Sequence, residues 1–149
     1  MVFKKAEVKD ESKKELYSKR GKRAKRKGAS YERLIADLFQ KAFGVELKRT
    51  PQSGGFAKKS TLADDYRGDI TIVNDRLKMK LHIECKNHKT WNLKKWLIQA
   101  NSDCPKGRTP IVVFHEFNTS RDYVTLSLED FLKLVPKDKV FEKRNFNND

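Results

Sequence analysis

Apolar residues along this chain fall into short runs whose spacing switches between helical and alternating periods. Over residues 31–43, Leu34, Ile35, Leu38, Phe39 and Ala42 recur at helical spacing, with Arg33, Asp37 and Lys41 between them. Ser30 is a suitable N-cap for that helix, and Gly44 suits a left-handed close. A strand is predicted over residues 45–49. Pro51-Gln52-Ser53-Gly54-Gly55 is turn chemistry, and a polar loop runs from there to Arg67. Two strands follow, over residues 69–73 and 79–86, joined by a tight turn through Asn74 and Asp75. In the second strand Leu81, Ile83 and Cys85 share one face, while His82, Glu84 and Lys86 share the other. A helix over residues 93–102 turns Trp96, Leu97 and Ala100 inward. Residues 111–114 are an uninterrupted β-branched and aromatic run, as a central buried strand requires. Residues 123–126 form a further strand. Ser127 caps a last helix over residues 128–135, with Asp130 placed to answer the cap. The order α-β-β-β-α-β-β-α is that of an α/β domain, a mixed sheet flanked by helices.

Charge changes this picture at the N-terminus. Residues 1–27 hold twelve Lys or Arg against four acidic residues, with few apolar residues to bury. They read as a flexible or marginally helical basic arm, either lying along phosphates or simply solvated. Gly28 ends the arm; residues 28–136 form the single domain, and residues 137–149 a charged tail. Over the whole chain 34 Lys plus Arg face 20 Asp plus Glu, a net charge of +14. Such an excess draws polyanions, of which nucleic acid is the commonest. Cys85 and Cys104 form no CxxC pair and read as reduced thiols. No apolar run approaches the roughly 18 residues that span a bilayer, so a cytoplasmic protein without a membrane partner is expected.

One constellation carries chemistry. Hydrolysis of a phosphodiester needs an activated water, neutralisation of the charge gathering on phosphorus, and help for the leaving oxygen. Magnesium held by carboxylates supplies much of each, and a nearby lysine can orient the water and stabilise charge. Asp69 opens one strand; Glu84 and Lys86 point from one face of the next. If those strands pair, Asp69 and Glu84 grip one ion beside the Lys86 ammonium. The bland alternative is an amphipathic edge strand with a solvated Glu–Lys pair. The upstream acid, the apolar flanks and the basic charge favour the metal site.

Asp69 followed by Glu84-x-Lys86 after an apolar run resembles the PD-(D/E)xK nuclease superfamily. The wider layout is most similar to the archaeal-type and viral Holliday junction resolvases. Gly28, Tyr31, Glu32 and Arg33 match their basic lead into a Glu-Arg helix; Arg49 and Gln52-Ser53-Gly54-Gly55 match an Arg-bearing strand and a Ser-Gly loop. The resemblance covers residues 28–117. It implies a restriction-endonuclease-like fold and a homodimer that nicks four-way DNA junctions in recombination and repair, using Mg2+, with Mn2+ as a substitute. Asp69 and Glu84 would be metal ligands, Lys86 the catalytic lysine, Glu32 the acid completing the site, and Ser53 the loop residue near the cleaved strand. The family usually reads Pro-Asp where this chain has Gly68-Asp69, and the loop over residues 56–67 is longer and more charged. From its own position Glu32 either reaches into a cleft or favours the positive helix N-terminus. Gln99 falls where superfamily members often carry a site-facing polar residue, though an exposed helix glutamine reads the same way.

Other residues are weaker candidates. His82, His88 and His115 show no zinc-like spacing with the cysteines; His82 alternates onto the Glu84 face. Asp64 and Asp65 lie in a polar loop. Trp91 and Trp96 could stack on bases, although spacing makes Trp96 a core residue. Arg33, Lys48, Arg49, Lys58, Lys59, Arg67, Lys89, Lys94 and Lys95 are placed to meet phosphates. No Gly-rich phosphate loop marks a nucleotide cofactor. The readings that compete with a resolvase are a nuclease of the same fold with another DNA target, and a non-catalytic DNA-binding module.

Overall fold

The computed structural model of the chain describes residues 4–50, 68–73 and 79–136, with side chains from residue 13 onward. The order of elements is the one the periodicity predicts: α1 (Lys4–Phe43), β1 (Leu47–Arg49), β2 (Ile70–Ile72), β3 (Leu81–Lys86), α2 (Leu93–Asp103), β4 (Thr109–His115), β5 (Asp122–Thr125) and α3 (Leu128–Leu134). Among the described residues no helix is long and apolar enough to cross a membrane.

The first correction concerns α1. The boundary expected at Gly28 and Ser30 is absent, and the basic segment continues as one 40-residue helix. Lys, Arg, Glu and Ala, which dominate residues 4–27, are good helix formers, and the first proline is Pro51. Gly21 and Gly28 each cost about 1 kcal/mol in a helix interior. Extending a helix already nucleated by packing is far easier than starting one, so the anchored C-terminal half carries them. That anchor is Tyr31, Ile35 and Ala36, buried with Phe39 packed beside them. Leu34 and Leu38, expected on the buried stripe, are instead about half exposed on its shoulder.

The second correction concerns strand pairing. β2 does not form a hairpin with β3; it pairs antiparallel with β1, Arg49 opposite Ile70. β3 pairs in parallel with β4, the crossover being α2, and β4 pairs antiparallel with β5. The two sheets meet at Asp69, whose N–H donates to the Ile83 carbonyl at 2.8 Å while its carbonyl accepts from the Thr50 N–H at 2.9 Å. The turn predicted through Asn74 and Asp75 lies outside the described residues.

Both faces of β3 and β4 are covered. Ile83, Cys85, Ile111 and Val113 pack with Tyr31, Ile35 and Ala36 of α1. Val112 and Phe114 pack with Trp96 and Ala100 of α2. β3 stands at the edge of its three-stranded sheet, but Glu84 and Lys86 are enclosed rather than a solvated pair. Asn92 accepts from the Lys95 N–H to start α2. Ser127 and Asp130 form the reciprocal cap that starts α3.

Gly68 explains the missing proline. Its φ is +88°, and a Cβ there would come within 3.0 Å of the Ile83 carbonyl oxygen and 3.1 Å of His82 Nδ1. Proline is locked near −65°, so neither it nor any other L-residue fits this lead into Asp69 without strain.

Candidate active site

β3 aims His82, Glu84 and Lys86 at α2, and all three side chains are enclosed. Glu84 is 8% exposed in its side chain and Lys86 13%. Lys86 Nζ donates to Glu84 Oε2 at 3.0 Å and to Gln99 Oε1 at 3.2 Å. Gln99 Nε2 lies 3.5 Å from Glu84 Oε2, so one glutamine touches both. Asp69 joins them from the junction of the sheets: its Oδ2 accepts from the Cys85 N–H at 2.8 Å. A backbone bond from the residue between Glu84 and Lys86 thus fixes the Asp69 carboxylate.

The electrostatics are those of a site short of positive charge. Burial pushes the Asp69 carboxyl up to about 6, and the negative charge of Glu84 adds to this; the Cys85 N–H, with Lys86 behind it, opposes the shift. Burial also acts upward on Glu84, but the His82 ring and the Lys86 ammonium outweigh it and hold that carboxyl below its usual range. The Cys85 thiol is driven far up, by burial first and then by the charges of Asp69, Glu32 and Glu84.

Glu32 contributes to this field from α1, but its Oε2 forms an ion pair with Arg49 Nε. Among the described residues no three His, Cys, Asp or Glu side chains converge where an ion could sit. Arg49 is correspondingly engaged with an acid, while Arg33 and Lys48 line an open groove with it. Lys94 and Lys95 are exposed on α2. Lys89 lies over the Phe117 ring at 5.4 Å. Ser53, Lys58, Lys59, Asp64, Asp65 and Arg67 lie outside the described residues.

His82, which alternation along β3 places on the Glu84 face, is also a neighbour of the site. It is completely buried, and among the described residues neither ring nitrogen has a good hydrogen bond. Its Nε2 stands 3.5 Å from Glu84 Oε1, close enough for a charge contact but long for a hydrogen bond. The signal available beforehand was its position two residues before Glu84. His115 instead pairs with Asp122, and His88 lies against Trp96.

This donor set suits a hard divalent cation. Asp69 and Glu84 supply two carboxylates in a net negative field, and magnesium typically takes one or two carboxylates and fills its other positions with water and phosphate. The metal-free fold should therefore show its strain as a pH dependence. A carboxyl raised from 3.8 to about 6 favours the protonated folded state, so its stabilisation is full below pH ~4 and is lost as pH rises through about 6. In chelator, wild-type protein should lose on the order of 2–3 kcal/mol from this group between those limits. Asp69→Asn should remove that slope and melt higher at neutral pH. Chemical denaturation at several pH values checks this, and an unchanged slope in the variant would refute it.

A mixed α/β sheet between helices, with an acid leading one strand and Glu-x-Lys enclosed on the next, defines a restriction-endonuclease-like core of the PD-(D/E)xK class. Residues 23–148 match the family described as phage putative PDDEXK endonuclease, and the chain belongs to that family. No curated protein matches the chain, and no solved structure does.

Proposed function

We propose that this protein is a magnesium-dependent DNA endonuclease that cuts branched DNA, four-way junctions above all, and acts as a homodimer. The observation that carries the catalytic part is the enclosed group of Asp69, Glu84 and Lys86, with Gln99 touching the last two. A non-catalytic binding module has no physical need for buried acids beside DNA phosphates. A net charge of +14, much of it on α1, supports DNA as the polyanion. The resolvase-like layout over residues 28–117 supports the junction as the target.

When bound between Asp69 and Glu84, a divalent cation, magnesium or manganese, would neutralise charge on the scissile phosphate and favour ionisation of the attacking water. The Asp69 carboxylate is held by the Cys85 N–H and the Glu84 carboxylate by Lys86, which restrains both acids before a cation binds. The Lys86 ammonium uses two of its three N–H bonds on Glu84 and Gln99, leaving the third for the attacking water or a phosphate oxygen. Gln99 orients that ammonium. Glu32 acts through Arg49, holding the guanidinium against α1.

The test is cleavage of a labelled four-way junction beside linear, splayed and nicked duplexes, each with magnesium and with chelator. Paired magnesium-dependent nicks confined to the junction are expected. Cutting of ordinary duplex would keep the active site and discard the junction; tight binding without cutting of any substrate would discard the enzyme.

A further inference from the structure

The row of side chains that includes Lys86 does not stop at the active site. Across the sheet Lys86 is in register with Phe114 on β4, and Phe114 with Tyr123 on β5. Phe114 packs with Trp96 on the α2 side, the side that Glu84 and Lys86 also face. Tyr123 stacks on Phe114, the ring centroids 5.6 Å apart and the planes 24° from parallel. Trp91, just ahead of α2, closes edge-on over both, at 4.9 Å from Phe114 and 5.9 Å from Tyr123. Phe114 is buried beneath them, but Trp91 is 45% and Tyr123 37% exposed. Neighbouring strands are about 4.8 Å apart, so the open aromatic edge begins within roughly 10 Å of Lys86.

Two cations lie on Phe117, three residues beyond Phe114 along the chain. Lys89, two residues before Trp91, lies over the Phe117 ring at 5.4 Å, and Lys27 of α1 lies over the same ring at 5.6 Å. The local acids are already taken up. Glu116 accepts from Tyr123 and Thr119; Asp122 accepts from Tyr31 and pairs with His115. Exposed rings fixed from behind and flanked by ammonium groups are what an unstacked nucleobase and its phosphates require. A second copy of the chain fits less well, because it would bring the same cations against one another.

We infer that Trp91 and Tyr123 form a stacking platform for an unpaired nucleobase beside the scissile phosphate. This rests on the protein acting on DNA. The platform gives the active site a preference for strands that have left the duplex, as at the centre of a branch.

Binding is measured in chelator, so that cleavage plays no part, with a short oligothymidylate and a fully paired duplex of the same length. Trp91→Leu and Tyr123→Leu should each weaken oligothymidylate binding about five- to hundredfold, with duplex affinity changed less than about twofold. Trp91→Phe, which keeps a stacking face, should restore most of the loss. Wild-type tryptophan fluorescence should be quenched by oligothymidylate, and the quench should vanish in Trp91→Phe, where only the buried Trp96 remains. That comparison holds even if the leucine variants do not fold. Equal losses on both probes, no loss on either, or a quench that persists in Trp91→Phe would overturn the platform. So would a Trp91→Leu protein that sediments as a monomer where wild type is a dimer, which would make this edge an interface between copies. Failure of wild type to bind either probe would instead remove the proposed function itself.

Discussion

Glu84→Gln and Asp69→Asn should each lower the rate of DNA cleavage by at least about a thousandfold, while DNA binding stays intact or tightens. Charge stabilisation by a held cation contributes several kcal/mol to a phosphoryl transition state, and each 1.36 kcal/mol is tenfold in rate, so about 4 kcal/mol gives that figure. Binding is spared because each change removes a negative charge that faces the phosphates. Both amides also preserve much of the local bonding. In Asp69→Asn the side-chain amide oxygen would still accept from the Cys85 N–H, and the Lys86–Gln99 bond does not depend on either acid. Lys86→Ala, which removes one preorganised donor, should cost about a hundred- to a thousandfold. Single-turnover cleavage with excess protein, alongside anisotropy binding in chelator, separates the two effects. If either acid variant loses binding in step with cleavage, these residues are structural and the ligand assignment fails.

Removal of residues 1–27 should weaken duplex and junction binding by roughly two orders of magnitude or more near 50 mM salt, and flatten the salt dependence. The segment carries twelve of the chain's 34 basic residues, and from residue 13 to 27 its side chains are exposed. Its helical part over residues 4–27, rising 1.5 Å per residue, projects about 36 Å, the length of a full turn of duplex DNA. If about six of its cations replace condensed counterions, the slope of log affinity against log salt should fall by about five. Chemistry at saturating DNA should survive, since Tyr31, Ile35 and Ala36 anchor the remaining helix without the arm. Titrations at several salt concentrations decide it, with thermal melting as the folding control. An unchanged slope would show that α1 does not lie on the DNA.

Much of this protein is legible in one dimension. The eight elements in their order, Trp96 and Ala100 as the inward face of α2, and the Ser127–Asp130 cap all follow from periodicity and local hydrogen bonding, which act over a few residues. Asp69, Glu84 and Lys86 stand out for the same reason: an apolar strand that carries an acid and a lysine on one face is a local pattern with an evident chemical use.

What stays hidden depends on partners distant in sequence. Whether β2 lies beside β1 or β3 turns on backbone bonds between Thr50, Asp69 and Ile83, and alternation within a strand says nothing about which neighbour satisfies them. Glycine before Asp69 reads as a departure until its φ of +88° and the crowding of Ile83 and His82 show that proline cannot stand there. Glu32 reads equally well as a ligand or a helix-end acid; the side chain that engages it is Arg49, 17 residues away. Alternation puts His82 on the Glu84 face, but only packing, with Gly68 crowded against its ring, makes it fully buried beside Glu84. The sequence by itself determined the order of the elements and singled out Asp69, Glu84 and Lys86 as candidates, because both readings rest on neighbours along the chain. Tertiary structure alone decided which charges meet, that Glu32 is taken up by Arg49, and that the row through Lys86 runs on into exposed aromatic rings, because burial and pairing exist only once distant segments are packed together.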